Sequence, residues 1–182
     1  MYKFARIEGR GGFPKNYRKL AVHIRQGVES DIPAILTLIR ELADYERALD
    51  QVEVTEETLL HDGFGHSPLF ELLIAENAHA HVVGMALYYY GYSTWQGKML
   101  YLDDLIVSYR YRRMGVGWQL MKCLAREAYK ADTSQMRWHV LEWNEPAIRF
   151  YEKLQTHLDT EWVTCKWDRL QIEQLAKLNT EE

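Results

Sequence analysis

The stretch Tyr101-Leu-Asp-Asp-Leu-Ile-Val-Ser-Tyr-Arg-Tyr-Arg-Arg-Met-Gly-Val-Gly117 constrains this chain more than any other. An apolar run gives way to a polar turn, then to two glycines one residue apart, then to an apolar-periodic segment. That order predicts strand, loop and helix start. Glycine at a helix start lets a ligand come close to the backbone. The free N–H groups of the first turn and the helix dipole then favour an anion, and a diphosphate is the natural guest. Two better-known phosphate loops are excluded. Position 120 is Leu where a dinucleotide fingerprint needs its third glycine, and no Gly-Lys-Ser/Thr sequence follows. On spacing alone, a structural role for the two glycines is as good an account as a functional one.

The flanking segments place this unit in a mixed α/β fold. Val22–Arg25 alternates as a short strand. Ser30-Asp31 can cap a helix, Pro33 fits its first turn, and Ile32, Ile35, Ile39 and Leu42 make an apolar face up to about Tyr45. A shorter helix is expected from Thr55 to His61, closed by Gly63 and Gly65. Leu69–Glu76 and His81–Tyr90 read as a hairpin, and Met99–Val107 as a third strand. Gly115 to about Ala131 is predicted helical, with Leu120, Leu124 and Ala128 on one face. Met136–Trp143 is predicted as a strand. Asn144-Glu145-Pro146 opens a helix with Ala147, Phe150, Tyr151 and Leu154 on one stripe. Trp162–Trp167 is predicted as a last strand, and Asp168 as the cap of a helix ending near Leu178. Helices, an antiparallel centre and a strand-helix-strand-helix ending give a mixed α/β architecture.

Composition excludes several classes. At 182 residues the chain has the size of one domain with a short appendage, and 47% hydrophobic against 26% charged residues argues against a disordered chain. No apolar run reaches the ~18 residues of a membrane span, and MYKFARIEGRGGF has no signal-peptide core. The two cysteines, Cys123 and Cys165, cannot make a disulfide scaffold, and each is most simply a packing residue. A reducing cytoplasm is the expected setting. His61, His66, His79, His81, His139 and His157 show no metal-ligand spacing, so no metal is expected. The net charge of -4 is uneven. Residues 1–20 carry six basic groups and one acid and read as a flexible arm; residues 21–182 form the body and carry about -9. An acidic body argues against a nucleic-acid partner and suits a cationic small molecule, although acidity also serves solubility.

Arg112-x-x-Gly115-x-Gly117 after a strand resembles the pyrophosphate loop of the GCN5-related N-acetyltransferases (the GNAT family), and Glu142–Tyr151 resembles that family's strand-asparagine-helix-tyrosine motif. Ile39–Glu46, Asp62–Gly65, Tyr92–Lys98 and Leu100–Asp104 resemble its diamine and thialysine acetyltransferase branch. The resemblance runs from about Val22 to the C-terminus. It implies the GNAT fold, a mixed, mostly antiparallel central sheet flanked by helices, together with acetyl-CoA as co-substrate and a homodimer. It implies that Leu105, Ile106, Val107, Arg112, Arg113, Met114, Gly115, Val116, Gly117 and Asn144 bind the cofactor. Tyr151 is implied as general acid to the CoA sulfur, and Asp103 as the base. Tyr45, Glu46, Trp95, Asp104 and Glu161 are implied as substrate contacts. A strand bulge near Asp103 is also implied, exposing a backbone N–H near Leu105.

The chemistry such a site needs follows from elementary physics. An alkylamine has a lysine-like pKa, so roughly one molecule in 2,500 is neutral at pH 7. Only the neutral amine attacks a thioester, so the site must attract a cation and then take its proton; a carboxylate does both. In a regular strand Asp103 and Asp104 would face opposite sides. Asp103 stands where the branch usually has glutamate, and its shorter arm favours a water relay. Two other departures stand out. Ser93-Thr94 replaces the Asp-Pro of polyamine acetylators and matches the thialysine type. Gln155 replaces the glycine that usually ends the tyrosine-bearing helix, which predicts a turn built differently. The expected activity is acetyl transfer to a small primary amine by direct attack in a ternary complex. The alternatives are a protein or antibiotic amine as acceptor, or a non-catalytic acyl-CoA-binding module.

Overall fold

A computed structural model describes residues 20–178. The basic arm predicted for residues 1–20 lies almost wholly outside the described residues. The chain forms two compact units, one up to Leu141 and one from Glu142 onward.

The first unit is a five-stranded sheet in the order β1 (His23–Gln26), β2 (Glu71–Glu76), β3 (Val82–Ser93), β4 (Gly97–Val107), β5 (Gln135–Arg137). The pairings β1–β2, β2–β3 and β3–β4 are antiparallel; β4–β5 is parallel. This is the mixed, mostly antiparallel sheet expected. Two helices, α1 (Ile32–Tyr45) and α2 (Glu56–Phe64), lie between β1 and β2 in the chain, and α3 (Val116–Lys130) carries the chain from β4 to the parallel β5.

Apolar periodicity decides which face each helix buries. On α1, Ile32, Ile35, Leu36 and Leu38 join Leu59 of α2 against Leu72, Ile74, Met85, Leu87 and Ile106 of the sheet. On α3, Val116, Leu120, Leu124 and Ala128 are buried, and the helix packs on β2, β3 and β4. Tyr88, Leu100 and Leu102 are fully buried without belonging to the α1–α2 cluster. At Gly84 an added Cβ would stand 2.7 Å from the Ile106 carbonyl, so glycine is what lets the strands pass closely there.

Several boundaries differ from expectation. Asp31 does not cap α1 with its side chain. Its carboxylate turns back, taking a bidentate pair from Arg25 (2.6 and 2.8 Å) and the N–H of Val28 (2.9 Å). Helix α2 runs through Gly63 to Phe64, with the Phe70 ring packed where a Gly63 side chain would stand; Gly65 follows as the cap. Strand β5 stops at Arg137 rather than Trp143. Its pairing with β4 ends at Tyr101, two residues before β4 loses its register.

The second unit holds α4 (Glu145–Lys153) and α5 (Arg169–Ala176). Asn144 caps α4 by accepting from Ala147 N–H (3.3 Å), with Pro146 in the first turn. The far end of α4 corrects the expectation for Gln155. Gln155 itself takes the left-handed conformation (φ 60), its N–H reaches Glu152 O, and Thr156 N–H reaches Tyr151 O. This is the bond pattern a glycine would make, built at the cost of a Cβ in that region. Asp168 and Gln171 cap α5 reciprocally, as expected of Asp168. The strand predicted over Trp162–Trp167 is absent. Those residues are irregular and exposed, because β-prone side chains make a strand only where another strand offers a ladder. Cys165 is accordingly exposed rather than packed, while Cys123 is partly buried on α3.

The Arg25–Asp31 pair yields a prediction. Arg25 holds the Asp31 carboxyl below its ordinary range, and the Val28 N–H adds to this. A depressed carboxyl contributes stability above its unfolded pKa of about 4, lost as pH falls through the folded value. Asp31→Asn should cost about 2 kcal/mol at pH 7. In chemical denaturation the gap between variant and wild type should close progressively below about pH 4. A gap that is constant with pH would assign the loss to shape rather than charge.

Candidate functional site

The site grows from one irregularity in β4. Antiparallel register runs from Gly84↔Val107 to Leu87↔Asp104, then resumes at Tyr88↔Leu102 and continues to Ser93↔Gly97. Asp103 falls between the two runs and has no partner on β3, so it is the extra residue of a β-bulge. Residues paired across a ladder share a face. Leu102 therefore lies with Tyr88 on one side, and Asp104 lies with Leu87 on the α1–α2 side, where Ile106 and Met85 follow.

Asp103 is exposed and Asp104 half-buried. Burial pushes the Asp104 carboxyl up to about 6, with the charges of Asp103 and Glu46 adding to the shift. Glu46, directly after α1, is itself raised by burial. Among the described residues, no cationic side chain forms an ion pair with Asp103, Asp104 or Glu46. Three carboxylates thus act within one region with no internal counter-charge. A cation arriving here would favour the ionised form of Asp104.

On its other side β4 pairs with β5 only through Met99, Leu100 and Tyr101. The β5-facing edge of Leu102–Val107, which includes Leu105, Ile106 and Val107, has no ladder partner among the described residues. Such an edge presents backbone donors and acceptors to an extended polar ligand. Beyond Ser108 and a short turn at Tyr109–Tyr111 comes the glycine loop. Arg113 (φ 62) and Gly115 (φ 79) are left-handed, and Gly115 stands at the N-cap of α3. Gly115 has no side chain with which to cap α3, so the N–H groups of Val116 and Gly117 open the helix without a side-chain cap from that position. Met114 lies within this loop, and its carbonyl accepts from Leu20 N–H at 2.9 Å. The loop fits an anionic diphosphate by its backbone.

The predicted residues fall into groups. Glu46, Asp103 and Asp104 come together electrostatically, and Tyr45 precedes Glu46 at the end of α1. Arg112 leans on α1, its guanidinium 4.7 Å from the Tyr45 ring centroid and its Nε donating to Val107 O at 2.9 Å. Trp95 lies in the β3–β4 turn, eight residues before Asp103 in the chain, its N–H donating to Ser93 Oγ at 3.3 Å. In the second unit, Tyr151 is buried on α4 and tilted against Phe150 at 5.3 Å, Asn144 caps the same helix, and Glu161 is exposed in the irregular segment.

Two features escaped the sequence reading. Tyr101 hydrogen-bonds His139 Nδ1 at 2.5 Å and stacks on Tyr89 at 5.1 Å, and Asp103 raises the pKa of both tyrosines after burial. The spacing Tyr101-x-Asp103 was a usable signal for a shared face; nothing in the sequence announced His139. Glu41, one turn before Tyr45, accepts from Tyr109 N–H at 2.5 Å. Its i,i+4 spacing was legible, but not the turn it reaches. Among the described residues no His/Cys/Asp/Glu group is arranged to hold a metal, and no helix is long and apolar enough to cross a membrane.

Comparison with known proteins bears on this geometry. The chain is similar to a thialysine N-epsilon-acetyltransferase of Bos taurus, 44% identical over 140 residues that span 73% of this chain and 82% of that one. A spermidine/spermine N(1)-acetyltransferase-like protein of Homo sapiens is 36% identical over 162 residues, 84% of this chain and 23% of that longer one. Among solved structures, an integron cassette protein from V. cholerae superposes with a TM-score of 0.71 at 24% identity, covering 86% of this chain and 98% of the other, a likeness of fold. The sequence model of the Acetyltransferase (GNAT) family matches residues 35–155, from the first turn of α1 to the turn after α4. That match takes in the bulged strand, the glycine loop and the tyrosine-bearing helix together, and the chain therefore belongs to the GNAT family of acetyltransferases.

Proposed function

We propose that this chain transfers the acetyl group of acetyl-CoA to the primary amine of a small cationic substrate, a lysine-like amino acid such as thialysine or a short diamine, by direct attack with both substrates bound. The bulge at Asp103 carries this reading. It puts Asp104 on the Glu46 side of the sheet beside an unpaired strand edge that leads into an anion-fitting glycine loop. The similarity to thialysine acetyltransferases supports the choice of amine.

Each residue has an assigned task. Backbone N–H groups at Arg113–Gly117 hold the diphosphate, and the Leu105–Val107 edge takes the extended arm. The thioester supplies the activated acyl group. A backbone N–H near Leu105 steadies the negative charge that develops on the acyl oxygen. Asp104 and Glu46 attract the substrate ammonium, whose charge offsets the burial that raises the Asp104 carboxyl. Asp103, exposed and short-armed, takes the proton through a water. Tyr45 lines the amine end. The roles of Tyr151 as proton donor to the departing thiolate, of Asn144 on the CoA arm, and of Trp95 and Glu161 toward the amine rest on the family resemblance. The same resemblance supports a cytoplasmic homodimer. The exposed Trp162, Val163 and Trp167 and the exposed Leu170, Ile172 and Leu175 of α5 are in keeping with a subunit interface.

Three measurements test this. Release of the CoA thiol should follow addition of acetyl-CoA with lysine analogues, ornithine or putrescine, and be weaker with spermine; silence with every amine would refute the proposal. The kcat/KM profile for the amine should fall on the acid side near pH 6, where Asp104 gains its proton. Asp103→Asn removes a like charge and should move that limb to lower pH; a limb that stays in place assigns it to another group. Tyr151→Phe should lower kcat by about 10²-fold while CoA affinity holds. An unchanged rate would leave Tyr151 a packing residue.

A further inference from the structure

We infer that Glu41 is a positioning residue that, through Arg112, links the glycine loop to the amine end of the site, so that the two substrates bind with positive cooperativity. The inference rests on the function proposed above, which places the diphosphate at the loop and the amine near Tyr45 and Glu46.

Four contacts carry it. Glu41 Oε1 accepts from Tyr109 N–H at 2.5 Å, fixing the turn that leaves β4. The same oxygen lies 3.9 Å from Arg112 Nη2. Arg112 Nε donates to Val107 O at 2.9 Å, the last residue of the bulged strand. The Arg112 guanidinium also lies over the Tyr45 ring at 4.7 Å. Glu41 and Tyr45 are one helical turn apart on α1, so both face the same neighbour. One arginine thus touches the strand end that carries Asp103 and Asp104, the helix end that carries Tyr45 and Glu46, and the loop to which it belongs.

The position of Glu41 is otherwise hard to account for. A partly exposed carboxylate beside an anion loop opposes a diphosphate by simple Coulomb repulsion. What it supplies instead is geometry: it anchors Tyr109 N–H and holds the Arg112 fork against the Tyr45 face, where Arg is favoured over Lys for stacking. A diphosphate drawn to the loop orders Arg112, and Arg112 orders Tyr45. An amine ordering Tyr45 does the reverse. When two ligands order one shared element, the second meets a smaller ordering cost, and the coupling is reciprocal.

The test is calorimetric titration of CoA into the full chain, without amine and with a saturating lysine analogue that turns over. In the wild type the amine should tighten CoA by roughly fivefold or more. In Glu41→Ala that factor should fall toward one, and the KM values for both substrates should rise together. Glu41→Gln keeps an acceptor for Tyr109 N–H and loses the charge toward Arg112, and should give an intermediate factor. A purely structural Glu41 would lower the melting temperature and leave the coupling factor at its wild-type value in both variants, which overturns the inference. Should Glu41→Ala not fold, a wild-type factor in Glu41→Gln overturns it alone. A wild type that turns over without coupling also overturns it and leaves the proposed function standing. No CoA binding and no turnover with any amine would remove both.

Discussion

The structure depends most on the extra residue in β4. In a regular strand, Leu100, Leu102, Asp104 and Ile106 would share one face. The bulge at Asp103 breaks that row. Leu100 and Leu102 stay with Tyr88 and are buried apart from the α1–α2 cluster, whereas Ile106 joins that cluster. Both halves of β4 can then bury their apolar residues, one half on each side of the sheet. The same shift sends Asp104 toward Glu46, where burial and two neighbouring carboxylates raise its pKa. One inserted residue therefore reconciles a core requirement with a charged site.

The bulge also accounts for the shape of the strand edge. Parallel pairing with β5 stops at Tyr101, so the backbone from Leu102 to Val107 has no ladder partner on that side among the described residues. Bulges commonly end pairing in this way. The glycine loop continues from this edge, and Arg112 returns to bond Val107 O. The anion-fitting loop, the open edge and the carboxylates are thus consecutive stations on one piece of chain. Their order needs no long-range assembly beyond the β3–β4 ladder and the contact with α1.

Legibility in the sequence follows the range of the interactions. Helix α3 was readable because Leu120, Leu124 and Ala128 repeat at helical spacing and Gly115 marks its start. Asp168 was readable as a cap because capping is settled within four residues. The Trp162–Trp167 segment misled because aromatic and β-branched residues state a preference, and no strand among the described residues of the second unit answers it. Gln155 misled in the opposite sense: the bond pattern at the end of α4 proved strong enough to hold a glutamine where glycine is usual. Asp31 looked like a cap, but Arg25 offers it a bidentate charged partner, and a charge-assisted pair outweighs a neutral N–H.

The sequence by itself determined the mixed α/β class, the strand-loop-helix that fits an anion, the acidic body and the family resemblance, because all of these are written in local periodicity, composition and short motifs. Tertiary structure alone decided that Asp103 is the residue left over in the ladder, that Asp104 is the more buried of the two carboxyls, and that Glu41 and Arg112 meet beside Tyr45. Each of these depends on register between strands or on a helix meeting a distant turn. Register is a relation between two segments, and neither segment carries it alone.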